Sequence, residues 1–278
     1  MLLRESRLTE ERRPSQCPLP FVAKNAGMIK HVIVAAALLA CSALPAAAAA
    51  PFQIDGGIGL SSLIALSDGR LQAISTALEV VAADPQVRTG RWTAIETPLH
   101  QAAKLGLPGE LAFIATNGTL YTEPGGEQRA NLSYRSYVRN GLHGRVTIGE
   151  LVSGHGTGTP EAIVAVPIRN DNGTVVGVLD DAIDLNAFSA QLKRDLGIGP
   201  NVIFWAIDGT GKIAIHSDAT NVLVEPAKMS PALARVRDEM LAHDAGEVTY
   251  TYRGAKRMVI YRKSSISDWR YGFGVVVP

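Results

Sequence analysis

Residues 111–122 read LAFIATNGTLYT, and residues 202–216 read VIFWAIDGTGKIAIH. Each stretch is an apolar β-prone run, a turn dipeptide (Asn117-Gly118 or Asp208-Gly209) and a second β-prone run, Thr119 to Thr122 or Lys212 to His216. Asn-Gly and Asp-Gly suit the type I′ turn, so both stretches predict β-hairpins. They lie 91 residues apart. The segments after the two hairpins also repeat. A helical piece comes first, Tyr134 to Leu142 in one unit and Pro231 to Ala242 in the other. Long strands close each unit: Ala162 to Ile168 with Val175 to Leu179, and Glu247 to Tyr252 with Arg257 to Arg262 and Tyr271 to Val277. Asn172-Gly173 supplies a further turn of the same kind. The repeat predicts two α+β lobes, each a twisted antiparallel sheet flanked by helices.

Upstream the texture is helical. Leu60, Leu63, Ile64, Leu71, Ile74, Leu78 and Val81 recur mostly at three- and four-residue steps, which predicts an amphipathic helix from Gly56. Asp84-Pro85 should end it, since proline clashes with a continuing turn. A second piece, Trp92 to Lys104, runs to Gly106-Leu107-Pro108-Gly109. Both lobes are therefore expected to hang on a long N-terminal helix.

The first 50 residues are of another kind. They hold six of the 27 Lys/Arg and three of the 26 Asp/Glu, which leaves 21 against 23, a net of −2, for the rest. A mildly acidic body without a basic stripe argues against nucleic acid as partner. Both cysteines, Cys17 and Cys41, also lie there, so the body has no disulfide, thiol nucleophile or Cys-bound metal. Lys30-His31, the apolar stretch Val32 to Leu44, Pro45 and a run of alanines form a secretory signal pattern, with cleavage expected after Ala48 or Ala49. Leu38-Leu39-Ala40-Cys41 also fits a lipoprotein box that would acylate Cys41. Met28 opens a signal of ordinary length, so residues 1–27 read as an over-extended start. The expected divisions are 1–27, the signal at 28–50, a helical stalk at 51–109, a first lobe at 110–196 and a second at 197–278. The last residues, Val275-Val276-Val277-Pro278, still read as strand and leave nothing for an output domain. The expected location is periplasmic or otherwise extracytoplasmic, free or held through Cys41.

Taken with the export signal, these stretches resemble the double Cache (PAS-like, PDC-type) extracytoplasmic sensor domain. The matching segments are NGTLYT (117–122), NLSYRSYVRNGLHG (131–144), GELVSGHGTG (149–158) and AIVAVPIRNDNGTVVGVL (162–179). The second lobe adds VIFWAIDGTGKIAIHSD (202–218) and DWRYGFGVVV (268–277). The resemblance covers the chain from about residue 57 onward. It implies a long N-terminal helix, two PAS-like lobes, and a small-molecule site in the first lobe between the sheet and its covering loops. It also implies no cofactor, and a membrane receptor, kinase or transporter as partner.

Amino-acid-binding members share an Arg-x-Trp-Tyr element, a Tyr-x-Asp before Thr-Gly, and a later aspartate that receives the ammonium. Here Arg135 matches the arginine, Tyr137 replaces the tryptophan and Val138 the tyrosine. Thr157-Gly158 is present, with Val152 and Gly154 at the Tyr and Asp places. Ala182 stands where the ammonium-binding aspartate aligns, just after Asp180 and Asp181. A retained arginine and an absent carboxylate point to a carboxylate or neutral polar ligand, since a buried ammonium needs a fixed acid.

The candidate binding residues are Tyr121, Tyr134, Arg135, Tyr137, Ser153, His155, Asp180 and Asp181. Arginine can clamp a carboxylate with its planar fork, and tyrosine joins an apolar face to a hydroxyl. Each has a plainer reading: a salt bridge for Arg135, core packing for Tyr121, a solvated loop for His155 and a solvated strand end for one aspartate. The second lobe offers His216 and Asp218 as its polar candidates among apolar strands, so the ligand is expected in the first. Catalysis is not expected, because neither a Gly-x-Ser-x-Gly elbow nor a His-Glu-x-x-His helix occurs. Ser153 with His155 would have to stand within hydrogen-bond reach for a hydrolase. An envelope structural protein that keeps the fold without a ligand is the alternative to a sensor.

Overall fold

The Asp55 carboxylate accepts the Gly57 amide at 2.7 Å and caps α1, Gly56–Ala82, whose 27 residues span about 40 Å. The computed structural model describes residues 55–104, 106–123 and 125–277. The expected signal and lipoprotein box lie outside them. Helix α1 ends two residues before Asp84-Pro85, and α2, Trp92–Ala103, follows a single 3-10 turn. The first lobe continues with β1 (Glu110–Ala115), β2 (Thr119–Thr122), β3 (Gly126–Asn131), α3 (Ser136–Leu142), β4 (Thr147–Ser153), β5 (Pro160–Arg169) and β6 (Val175–Asp184). Helix α4, Leu185–Leu196, leads to the second lobe and is capped by Asp184, which accepts the Asn186 and Ala187 amides. The second lobe holds β7 (Val202–Ile207), β8 (Ile213–His216), α5 (Pro226–Met229), α6 (Pro231–Ala242), β9 (Ala245–Tyr252), β10 (Ala255–Lys263) and β11 (Arg270–Val277).

Both sheets are antiparallel, in the orders β3-β2-β1-β6-β5-β4 and β8-β7-β11-β10-β9. In each, the first strand of the hairpin pairs with the last strand of its sheet. The hairpins at 111–122 and 202–216 thus hold equivalent topological places. The turns themselves differ from the type I′ expectation. Gly118, Gly173 and Gly211 take φ of 86°, 78° and 84°, and their amides close turns on the Ala115, Asn170 and Asp208 carbonyls at 2.8 to 2.9 Å. Positive φ falls only on the last residue of each turn, so these are type I turns followed by a left-handed glycine. The counterpart of Gly118 is therefore Gly211, not Gly209.

Each sheet has one face on a shared core and one on its own. The shared core takes Leu63, Leu71 and Leu78 of α1, Phe113, Val164 and Leu179 of the first sheet, and Phe204, Ile215 and Phe273 of the second. Gly59 lets α1 lie against β11, where a Cβ would stand 2.3 Å from the Phe273 ring. Two buried polar ties cross this core. The Trp269 indole N–H donates to the Gly149 carbonyl at 2.8 Å. The Tyr271 hydroxyl donates to Asp68 of α1 at 2.7 Å, and the Ser264 hydroxyl donates to the same carboxylate at 2.8 Å. The outer faces are covered separately. Tyr137 and Val138 of α3 pack on the first sheet, and Leu233, Val236 and Met240 of α6 on the second.

Candidate ligand-binding site

Strand pleat decides what reaches the outer face of the first sheet. On β6, Leu179 and Ile183 belong to the shared core, while Val178, Asp180 and Ala182 point outward. The neighbouring strands send Glu110 and Ala112 of β1, Leu120 and Thr122 of β2, and Glu161 and Ile163 of β5 to the same side. Helix α3 and the loop 154–159 cover part of this face and leave a cavity of about 150 Å³. Gly154 and Gly158 shape the loop: the Gly154 amide reaches the Thr159 carbonyl at 2.8 Å, and the Gly158 amide reaches the Gly154 carbonyl at 3.1 Å.

Of the eight residues singled out from sequence, the fold brings Arg135, Tyr137, Ser153, His155 and Asp180 to this cavity. Tyr121 lies on the opposite face, stacked between Trp92 and Phe113 at centroid distances of 5.1 and 5.7 Å. Asp181 is fully buried on that same inner face, since one residue along a strand reverses direction. Tyr134 is 57% exposed and stands outside the cavity, with the Arg135 guanidinium 5.2 Å from its ring centroid. Sequence reasoning misses Glu110, Thr122, Gln128, Thr157 and Glu161 as lining residues. For Glu110 and Glu161 the available signal is parity, because each stands two residues before an outward apolar residue, Ala112 or Ile163. The loop that carries His155 follows directly on strand β4, which ends at Ser153.

Arg135 sits at the start of α3 and donates to the Ser153 carbonyl at 2.9 Å, tying the helix to the end of β4. Tyr137 is buried, with its hydroxyl directed at Asp180. Burial first, and then the Asp180 charge, push the phenol above its ordinary range. Asp180 is itself 3% exposed, and its Oδ1 has no hydrogen-bond partner. Burial drives its carboxyl well above the usual aspartate range, the Tyr137 hydroxyl opposes this, and the charges of Asp181, Glu161 and Glu110 add to it. Glu161 is raised in the same way by burial and by Glu110, with Arg135 opposing. The site thus gathers three carboxyl groups against one guanidinium. It can accept hydrogen bonds and positive charge from a ligand at its inner end, and Arg135 can meet an anionic group. Ser153 and His155, both exposed, make no hydrogen bond to each other.

No family model and no curated protein matches the chain. Solved structures do. The extracellular domain of rpHK1S-Z16, described as a histidine kinase, aligns with a TM-score of 0.65 at 17% identity over 80% of this chain and 92% of its own. The ligand-binding domain of the Pseudomonas fluorescens chemoreceptor CtaA, solved with L-serine, gives 0.60 at 18% identity over 80% and 93%. That of the Pseudomonas aeruginosa PAO1 chemoreceptor PctC, solved with GABA, gives 0.59 at 19% over 80% and 95%. These are sensor and receptor domains, not enzymes. The chain shares the double PAS-like fold of these domains, in agreement with the double Cache fold that the sequence resemblance implies.

Proposed function

We propose that this protein is an extracytoplasmic sensor that captures a small ammonium-bearing ligand, an amino acid or a related zwitterion, in its first lobe. The observation that carries the reading is Asp180: a buried carboxyl group with an unpartnered oxygen, at the inner end of a cavity that also holds Glu110 and Glu161. An ammonium donor would satisfy that oxygen and stabilise its charged form, and Arg135 would take the carboxylate end. In sequence, the absence of an aspartate at 182 argues against an amino acid. Asp180 lies on the same face two residues earlier, about 7 Å along the strand, and offers the carboxyl group instead. The chemoreceptor domains solved with L-serine and with GABA support this ligand class. A polar, open cavity also favours a sensor over a structural protein that keeps only the fold.

Among the described residues no helix is long and apolar enough to cross a membrane. Export through residues 28–50 and delivery of the occupied state to a membrane receptor, kinase or transporter complete the proposal. Ligand closure under the loop 154–159 would shift the population of α1, which packs on both sheets. The test is a thermal-shift screen with the twenty amino acids, GABA and putrescine, set beside ammonium-free acids. Stabilisation by an ammonium compound, lost in Asp180→Asn, supports the reading. A screen in which no ammonium compound stabilises the protein would overturn it.

A further inference from the structure

The second lobe carries a cavity of about 120 Å³ on its outer face, in the place topologically equivalent to the first-lobe site. Its chemistry is the reverse. Trp205 and Arg257 both line it, and the buried Trp205 Nε1 and Arg257 Nε have no hydrogen-bond acceptor. Trp205 is only 3% exposed. His216 lines the cavity too, and its Nδ1 accepts the Asp218 amide at 2.8 Å, which leaves the ring proton on Nε2 as a donor. Burial takes that imidazole down to about 4, so it is neutral at physiological pH. Arg257 stands beside Tyr250, its Cα partner across the β9–β10 pair, and its guanidinium lies 5.0 Å from the Tyr252 ring centroid, with that of Arg253 at 5.2 Å. The acid on the rim, Asp218, is exposed and accepts the Thr220 amide and hydroxyl through Oδ1.

Arg253 adds an independent sign. It occupies the first position of the tight β9–β10 turn with φ of 50°, and Gly254 follows with φ of 77°. That turn asks for Asn, Asp or Gly at its first position, and an arginine there is strained. The strain holds a second guanidinium at the mouth of a cavity already rich in donors.

We propose that this cavity is a second ligand site, for a small organic monocarboxylate. Its acid group would lie among Arg257, Trp205 Nε1 and His216 Nε2, and its carbon chain against Ile203 and Leu233. Two unmet donors, two arginines and an apolar wall suit an organic anion, where the first-lobe site suits a cation. This inference does not depend on the first-lobe assignment.

The experiment is a thermal-shift titration of the full chain with sodium acetate, propionate, butyrate, L-lactate and pyruvate. Sodium chloride at matched ionic strength, sodium phosphate and uncharged propionamide serve as controls. At least one carboxylate should raise Tm saturably while the controls do not. Arg257→Gln should move the midpoint at least tenfold higher, and Asp180→Asn in the first lobe should leave it unchanged. Arg253→Asn, which relieves the turn, should raise Tm without ligand and still weaken the carboxylate response. Carboxylate shifts no larger than those of chloride, stabilisation by phosphate alone, or an undiminished response in both arginine variants would overturn the proposal.

Discussion

Asp180 and Asp181 are adjacent carboxyl groups that face opposite sides of one strand, and substituting Asp181 separates them. Asp181 faces the shared core rather than water or ligand, and burial pushes its carboxyl from the usual 3.8 up to about 7, with the Gly109 amide opposing. Between those values the folded protein keeps a proton that the unfolded chain gives up. Stability therefore falls as pH rises through this window, and the full cost stands above about 7. At 1.36 kcal/mol per decade that cost is about 4 kcal/mol. Asp181→Asn cannot ionise and escapes it, although a buried amide carries its own cost that does not change with pH. The diagnostic is the variant-minus-wild-type difference, which should be about 4 kcal/mol more favourable at pH 8 than at pH 4. For a body of this size that corresponds to about 8–16 °C in Tm. The assay is calorimetric or fluorescence-monitored melting across pH 4 to 8. A difference that stays flat with pH would refute the burial argument for this residue.

Arg135→Ala should weaken an amino-acid ligand about ten- to hundredfold, at about 1.4 kcal/mol per decade for a lost charge-assisted bond of 1.5–3 kcal/mol. Arg135→Lys should restore part of the loss, because a point charge lacks the planar fork, and titration of both variants checks this. Because the empty site holds Asp180 well above its usual range, ammonium binding should release a proton. The affinity should then rise with pH through the range in which the empty site keeps that proton, until the ligand's own amine titrates, and calorimetry in phosphate and Tris should give different apparent enthalpies. Trp269→Phe removes a buried bond between the two lobes and orphans the Gly149 carbonyl. It should cost about 1–3 kcal/mol in urea unfolding with an unchanged slope, and a loss under about 0.5 kcal/mol would contradict that role.

The hairpins, the closing strands and α6 can be read from sequence because each carries its own local signal. The run Leu111 to Ala115 and the β5–β6 pair are apolar with an unambiguous turn between or after them, and Pro231 marks the first turn of α6 after the Ser230 cap. Strand β3 is not legible. Its sequence, GEQRAN, has no apolar face, and it exists because β2 offers an edge to pair with. The turn types are misjudged because Asn-Gly and Asp-Gly occur in more than one turn, and only backbone geometry shows which residue takes positive φ. At the site, Arg135 and Tyr137 follow from a motif. The choice between Asp180 and Asp181 needs the phase of β6, and apolar residues on both of its faces (Val178 and Leu179) conceal that phase. Of the second-lobe cavity the sequence shows His216 and Asp218 but not the arginines, because Arg253 and Arg257 sit in a hairpin that reads as surface, and the sheet alone brings them to Trp205 and His216.

The most direct test of the central claim is calorimetric titration of wild type, Asp180→Asn and Asp181→Asn with the amino acid or amine that the screen identifies. The account predicts a loss of about ten- to hundredfold in affinity for Asp180→Asn, from one charge-assisted bond. It predicts wild-type affinity for Asp181→Asn, whose side chain lies on the other face of the sheet. Undiminished binding by Asp180→Asn, with the fold intact by circular dichroism, would contradict it.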